Sequence, residues 1–103
     1  MSPLNPTAPS DNPNRVVVSV QGIDRVGIVA EVARVLAEGQ ANLTDISQSV
    51  LHDDLFVMVA MANMSDDGAN FEELHEALTT AGTRLGVEIR LQREQIFRAM
   101  HRV

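Results

Sequence analysis

The sequence contains no cysteine, lysine, tryptophan or tyrosine among its 103 residues. Without cysteine the chain has no disulfide, no thiolate nucleophile and no zinc site of the Cys₄ or Cys₂His₂ type. Because aromatic residues make up only 3% of it, the chain also has almost no platforms on which nucleic-acid bases stack. Eight arginines against 14 acidic residues give a net charge of −6, which repels polyanions. We therefore expect binding to neither nucleic acid nor membranes.

Long hydrophobic runs are missing too, and the longest apolar stretches are too short to span a bilayer. Residues 1–14 contain all four prolines and no basic residue, so they predict a disordered tail rather than a signal peptide. The remaining residues, 15–103, are enough for one small domain. We therefore expect a cytoplasmic protein with one domain behind an N-terminal tail.

Hydrophobic periodicity predicts the element order β-α-β-β-α-β, followed by a short C-terminal helix at 94–103. The predicted strands are 15–21, 42–50, 55–62 and 87–91. Helical spacing predicts one helix at 28–38 and a second after Asn70, where Glu73 completes a capping-box pattern. The predicted inner stripe of this second helix is Phe71, Leu74, Leu78, Ala81 and Leu85. This order predicts an α+β, ferredoxin-like fold: a four-stranded antiparallel sheet, its first and third strands central, with two helices on one face.

The predicted third strand, LFVMVAMA at 55–62, is apolar on both of its faces. Two helices cover only one face of such a sheet, so the other face needs a partner or stays exposed. We therefore predict a homodimer in which the third strand takes part, with contributions from Ile96, Phe97 and Met100.

Two glycines, Gly22 and Gly27, bound the segment that joins the first strand to the first helix. Their spacing is that of a phosphate-binding P-loop, but Ile28 and Val29 stand where that mechanism needs Lys and Ser or Thr. No middle glycine lets the backbone approach a pyrophosphate, and Asp24 would repel one. These residues argue against nucleotide binding at this loop.

Two interpretations of the loop remain open. In the first, the backbone amides of residues 27–29 and the helix dipole hold a small anion such as a carboxylate, while Asp24 receives an ammonium group. In the second, which residue types alone favour, Asp24 caps the helix, Gly27 relieves a steric clash and Arg25 is solvated.

The sequence resembles the ACT domain, the small-molecule-sensing module of amino-acid metabolism, in DRVGI (24–28) and ANLTDI (41–46). The resemblance spans residues 15–91 and is nearest to small free-standing ACT-domain proteins, although Val26 stands where the family usually has Pro or Ser. It implies a ligand site where two domains meet. The implied site residues are Asp24, Arg25, Val26, Gly27, Ile28, Asn42 and Leu43. For Asn42, the alternative is a turn residue before a strand.

The resemblance implies a regulatory, non-catalytic homodimer without a cofactor. Its expected effector is an amino acid or related small carboxylate, and its expected partner is a regulated enzyme or another regulator. A first alternative is a protein–protein interaction module with a vestigial pocket. A second is a small enzyme or metal-binding protein that uses His52 and Asp53.

Residue types argue against this second alternative. His52, Asp53 and Asp54 are consecutive, and three metal ligands rarely come from such a tripeptide, so a tight polar turn centred on Asp53 and Asp54 is predicted. For Ser47 and Ser49, the sequence does not reveal the Ser-His-Asp arrangement that a serine nucleophile needs. We predict neither a catalytic residue nor a metal site.

Overall fold

The computed structural model of the protein describes residues 14–100, which contain four strands, a single 3₁₀ turn and three helices. The strands are β1 (Arg15–Ile23), β2 (Asn42–Leu51), β3 (Leu55–Asn63) and β4 (Val87–Arg93). The helices are α1 (Ile28–Glu38), α2 (Phe71–Leu85) and α3 (Glu94–Met100). The predicted element order is confirmed, and α1 has the predicted bounds.

The strands form one antiparallel sheet in the order β2-β3-β1-β4. This confirms the predicted ferredoxin-like topology with the first and third strands in the centre. The sheet is open, so β2 and β4 are its edges.

The core lies between the sheet and the helices α1 and α2. Alternate residues of β1 and β3, such as Val18 and Ala60, are buried against the helical stripes. In the predicted stripe of α2, Leu74, Leu78 and Ala81 are buried, whereas its two ends, Phe71 and Leu85, are partly buried. Burying these stripes is the main favourable free-energy term for the fold.

Short residue patterns in the sequence account for the start of α2 and for the turn between β2 and β3. Asn70 accepts from the backbone amide of Glu73 at 2.8 Å, and the Glu73 carboxylate accepts from the Asn70 amide at 3.0 Å. The predicted capping box is therefore confirmed. The predicted reversal between β2 and β3 is also confirmed, with Asp53 and Asp54 at φ of 62° and 61°, a region that Asp tolerates.

Strict alternation along the sequence of β2 predicts that Leu43 shares a face with Asp45, Ser47 and Ser49, and this prediction is wrong at Leu43. A β-bulge between Leu43 and Asp45 shifts the register, so that Leu43 pairs with Ala62 while Asp45 pairs with Met61. As a result Leu43 turns to the helix-covered face and packs against the core, on the same face as Ile46. Bulges insert one residue and reverse the faces that follow.

We call the sheet face opposite α1 and α2 the open face. The short helix α3 lies against part of it, and Val17 on that face is only 2% exposed. At the start of α3, the Glu94 side chain is 1% exposed. It lies 3.1 Å from Arg98 Nη2 and 3.6 Å from Arg15 Nε. The third helix therefore shields part of the apolar surface that the sequence assigns to a second copy.

Most of the predicted N-terminal tail, residues 1–13, lies outside the described residues. Residues 101–103 of the predicted C-terminal helix lie outside them as well. Asn14 belongs to the folded part: its carbonyl accepts from the Met64 amide at 2.8 Å, and its side chain donates to Asp66 at 3.2 Å. No helix within residues 14–100 has the length and apolar character needed to cross a membrane.

Candidate functional site

The loop between β1 and α1, residues 24–27, ends in a left-handed glycine. Gly27 is the N-cap of α1 with φ of 96°, and no side chain caps this helix end. No atom lies within 4 Å of the position where a Cβ would stand, so the expected steric clash is wrong. Glycine is needed here because of its backbone angle, which L-residues rarely adopt. The first amides of α1 thus lack a side-chain acceptor.

Asp24 does not cap α1, so the cap expected in the second interpretation of the loop is also wrong. Its backbone amide donates to the carbonyl of Asp54 at 2.7 Å, which ties the loop to the β2–β3 hairpin. Its side chain is exposed. The carboxylate is therefore accessible to a ligand.

Arg25 is not simply solvated. Its Nη1 donates to the carbonyl of Leu85 at 2.9 Å, at the last residue of α2. A cation at a helix C-terminus also interacts favourably with the helix dipole. With Asp24 bound to the hairpin, this contact fixes the loop on both sides and leaves Val26, 99% exposed, at its tip.

Asn42 and Leu43 do not lie near this loop in the same chain. Asn42 pairs with Asn63 at one end of β3, whereas Ile23, which leads into the loop, pairs with Leu55 at the other end. Eight residues of extended strand separate the two ends, about 26 Å. The seven predicted site residues therefore form two groups at opposite ends of the sheet.

The structure contains a cavity on the open face that the sequence did not identify. Its volume is about 430 Å³, and we call it the open-face cavity. It lies above β1, β3 and β4 and is bounded by Phe97 and Met100 of α3. The sequence of β4 shows which of its residues share a face, but only the strand order places that face next to β1, with β3 on the far side of β1.

The other residues considered for chemistry are His52, Asp53, Ser47 and Ser49. Within residues 14–100 there is no group of three or more His, Cys, Asp or Glu side chains that could hold a metal ion. Ser47 and Ser49 are exposed on the edge strand β2.

Comparisons with known proteins agree with this fold. The sequence profile of the ACT domain family matches residues 14–92. A UPF0237 protein of Methanopyrus kandleri is 51% identical over 89 residues, 86% of this chain and 98% of its own. An ACT domain protein from Streptococcus pneumoniae is 39% identical, with a TM-score of 0.70 over 84% of this chain and 97% of that one. The ligand-free regulatory subunit of aspartate kinase from Thermus thermophilus is 26% identical, with a TM-score of 0.60 over 78% of this chain and 51% of that one.

The matched span runs from Asn14 almost to the end of β4 and includes both the loop and β2. Helix α3 follows the matched span. Sequence profile, relatives and fold agree, and the chain belongs to the ACT domain family.

Proposed function

We propose that the protein is a regulatory, non-catalytic sensor that binds an amino acid or a related small carboxylate at the loop between β1 and α1. The observation that carries the proposal is the ACT family match over residues 14–92, which includes this loop. The similarity to a regulatory subunit of aspartate kinase supports a regulatory role.

The chemistry of the loop suits a zwitterion. The uncapped first turn of α1 offers backbone amides and a positive dipole end to a carboxylate. The exposed carboxylate of Asp24 offers an acceptor to an ammonium group. Because contacts to Asp54 and Leu85 already fix the loop, little conformational entropy is lost when a ligand binds.

We propose further that the site is completed by a second copy of the chain. The predicted contact through the third strand and α3 stays a prediction, and we propose a different one, in which the outer edge of β2 pairs antiparallel with β2 of another copy across a two-fold axis. Such pairing sets the start of one β2 beside the end of the other, and Leu51 at the end of β2 lies on the loop side of the sheet. Asn42 of the second copy then reaches the end of the sheet that carries the first copy's loop.

A thermal-unfolding screen against the common amino acids tests the binding proposal. A ligand at 100 times its Kd stabilises the folded state by about 2.7 kcal/mol. For a domain of this size, that raises Tm by roughly 10–20 °C. We expect Asp24→Asn to abolish the shift. The matched control is Asp67→Asn, an exposed acid in the loop before α2, which should retain it.

The competing function is a protein-interaction module with a vestigial pocket. It is favoured by three exposed apolar side chains that are cross-strand neighbours on the open face. They are Ile23, Leu55 and Leu51, which are 64%, 37% and 53% exposed. Contiguous exposed apolar surface marks interaction sites. If no amino acid raises Tm, this function replaces the sensing proposal.

A further inference from the structure

The residues that line the open-face cavity change from apolar to polar to charged across three neighbouring strands. Two rows of cross-strand neighbours line the cavity, and in each row an apolar residue of β3 is followed by a polar residue of β1 and a charged residue of β4. These rows are Val57–Gln21–Glu88 and Val59–Ser19–Arg90. The cavity therefore has an apolar side on β3 and a charged side on β4.

The charged side carries one positive and one negative group. Arg90 Nε and Nη2 each lie 3.1 Å from Glu88 Oε2, and both side chains are more than half exposed. An exposed ion pair of this kind contributes little to stability and can rearrange around a ligand. The guanidinium of Arg90 can bind a ligand's carboxylate, and the carboxylate of Glu88 can bind a ligand's ammonium group.

The dimensions of the cavity set the size of the ligand. Neighbouring strands are about 4.8 Å apart, so the apolar side on β3 and the charged side on β4 are separated by about 10 Å. A glycine or alanine bound at Glu88 and Arg90 is too short to reach Val57 and Val59. A volume of about 430 Å³ lies within the range of small-molecule sites.

Helix α3 closes one end of the cavity with an apolar surface. Phe97 and Met100 contribute this surface, and Gln92 donates to the Met100 sulfur at 3.2 Å. Methionine adapts its shape to varied apolar ligands. An apolar ligand group therefore finds contacts on α3 as well as on β3.

We propose that the open-face cavity is a second binding site, for a zwitterionic amino acid with a large apolar side chain. Arg90 binds its carboxylate, Glu88 binds its ammonium group, and Val57, Val59 and α3 contact its side chain. This site shares no residue with the loop site and does not depend on it. Because α3 forms one wall, an occupied cavity also holds α3 on the sheet.

The test is a titration of the full chain with L-phenylalanine, monitored through the methyl resonances of its valines and methionines. We expect the resonances of Val57, Val59 and Met100 to shift, while Met64, in the core on the other sheet face, stays unchanged. Two further ligands test each charge: 3-phenylpropionate lacks the ammonium group and phenethylamine lacks the carboxylate. Each should bind at least tenfold more weakly than L-phenylalanine.

Arg90→Gln should weaken L-phenylalanine binding at least tenfold, whereas Arg84→Gln on α2 should leave it unchanged. Both arginines are exposed, so neither change threatens the fold. Unchanged methyl resonances, or full binding by Arg90→Gln, would overturn the proposal. If Asp24→Asn instead abolishes the binding, the ligand occupies the loop, and only the open-face proposal fails.

Discussion

The change Gly27→Ala tests the geometry of the loop most simply. Gly27 has φ of 96°, and nothing lies within 4 Å of a Cβ built there, so alanine meets a conformational penalty and no collision. A left-handed backbone costs an L-residue about 1–2 kcal/mol. Alanine also restricts the unfolded chain, which offsets about 0.4–1 kcal/mol of that cost. We therefore expect a net loss of about 1 kcal/mol, or a Tm lower by roughly 4–8 °C.

Thermal and urea unfolding followed by circular dichroism measure this loss. Gly27→Asn is the matched variant, because asparagine tolerates the left-handed region better than alanine and should lose less stability. A Gly27→Ala protein as stable as the original, or an asparagine variant less stable than the alanine one, would refute a left-handed residue at the start of α1.

Three further predictions concern the cap, the core and the dimer. Asn70→Ala removes half of the capping box and should cost about 1 kcal/mol in urea unfolding. Leu78→Ala, at a site 1% exposed, should cost about 2–5 kcal/mol in the same assay. Because the chain has no cysteine, a single Ser47→Cys in the middle of β2 should cross-link two copies, whereas Thr79→Cys on the exposed side of α2 should not. Equal cross-linking of both variants would contradict pairing through β2.

Local patterns were enough to predict most of the fold. The helical spacing of Ile28, Val32, Val35 and Leu36 predicts a helix, and these four residues are the buried ones of α1. The Asn70–Glu73 spacing locates the start of α2 because a capping box depends only on neighbouring residues. Both patterns involve residues that are close together in the chain, so they can be recognised in a single sequence.

The remaining features depend on the tertiary structure. The bulge that turns Leu43 to the core arises from the register with β3, which the alternation of β2 alone does not reveal. The bond from Arg25 to Leu85 joins residues 60 positions apart. The charged side of the open-face cavity likewise exists only because β4 pairs with β1. The sequence identified the loop as a candidate site, but not its contacts or its distance from Asn42.

The most direct test of the proposed sensor is complementation between two binding-deficient variants, using the amino acid that gives the largest shift in the screen. Asp24→Asn and Asn42→Ala should each abolish binding in calorimetry. When the two are mixed and allowed to exchange subunits, half of the dimers are mixed and each has one intact site, so about a quarter of the binding capacity returns. No recovery after exchange, or binding by either variant alone, would contradict a site shared between two copies.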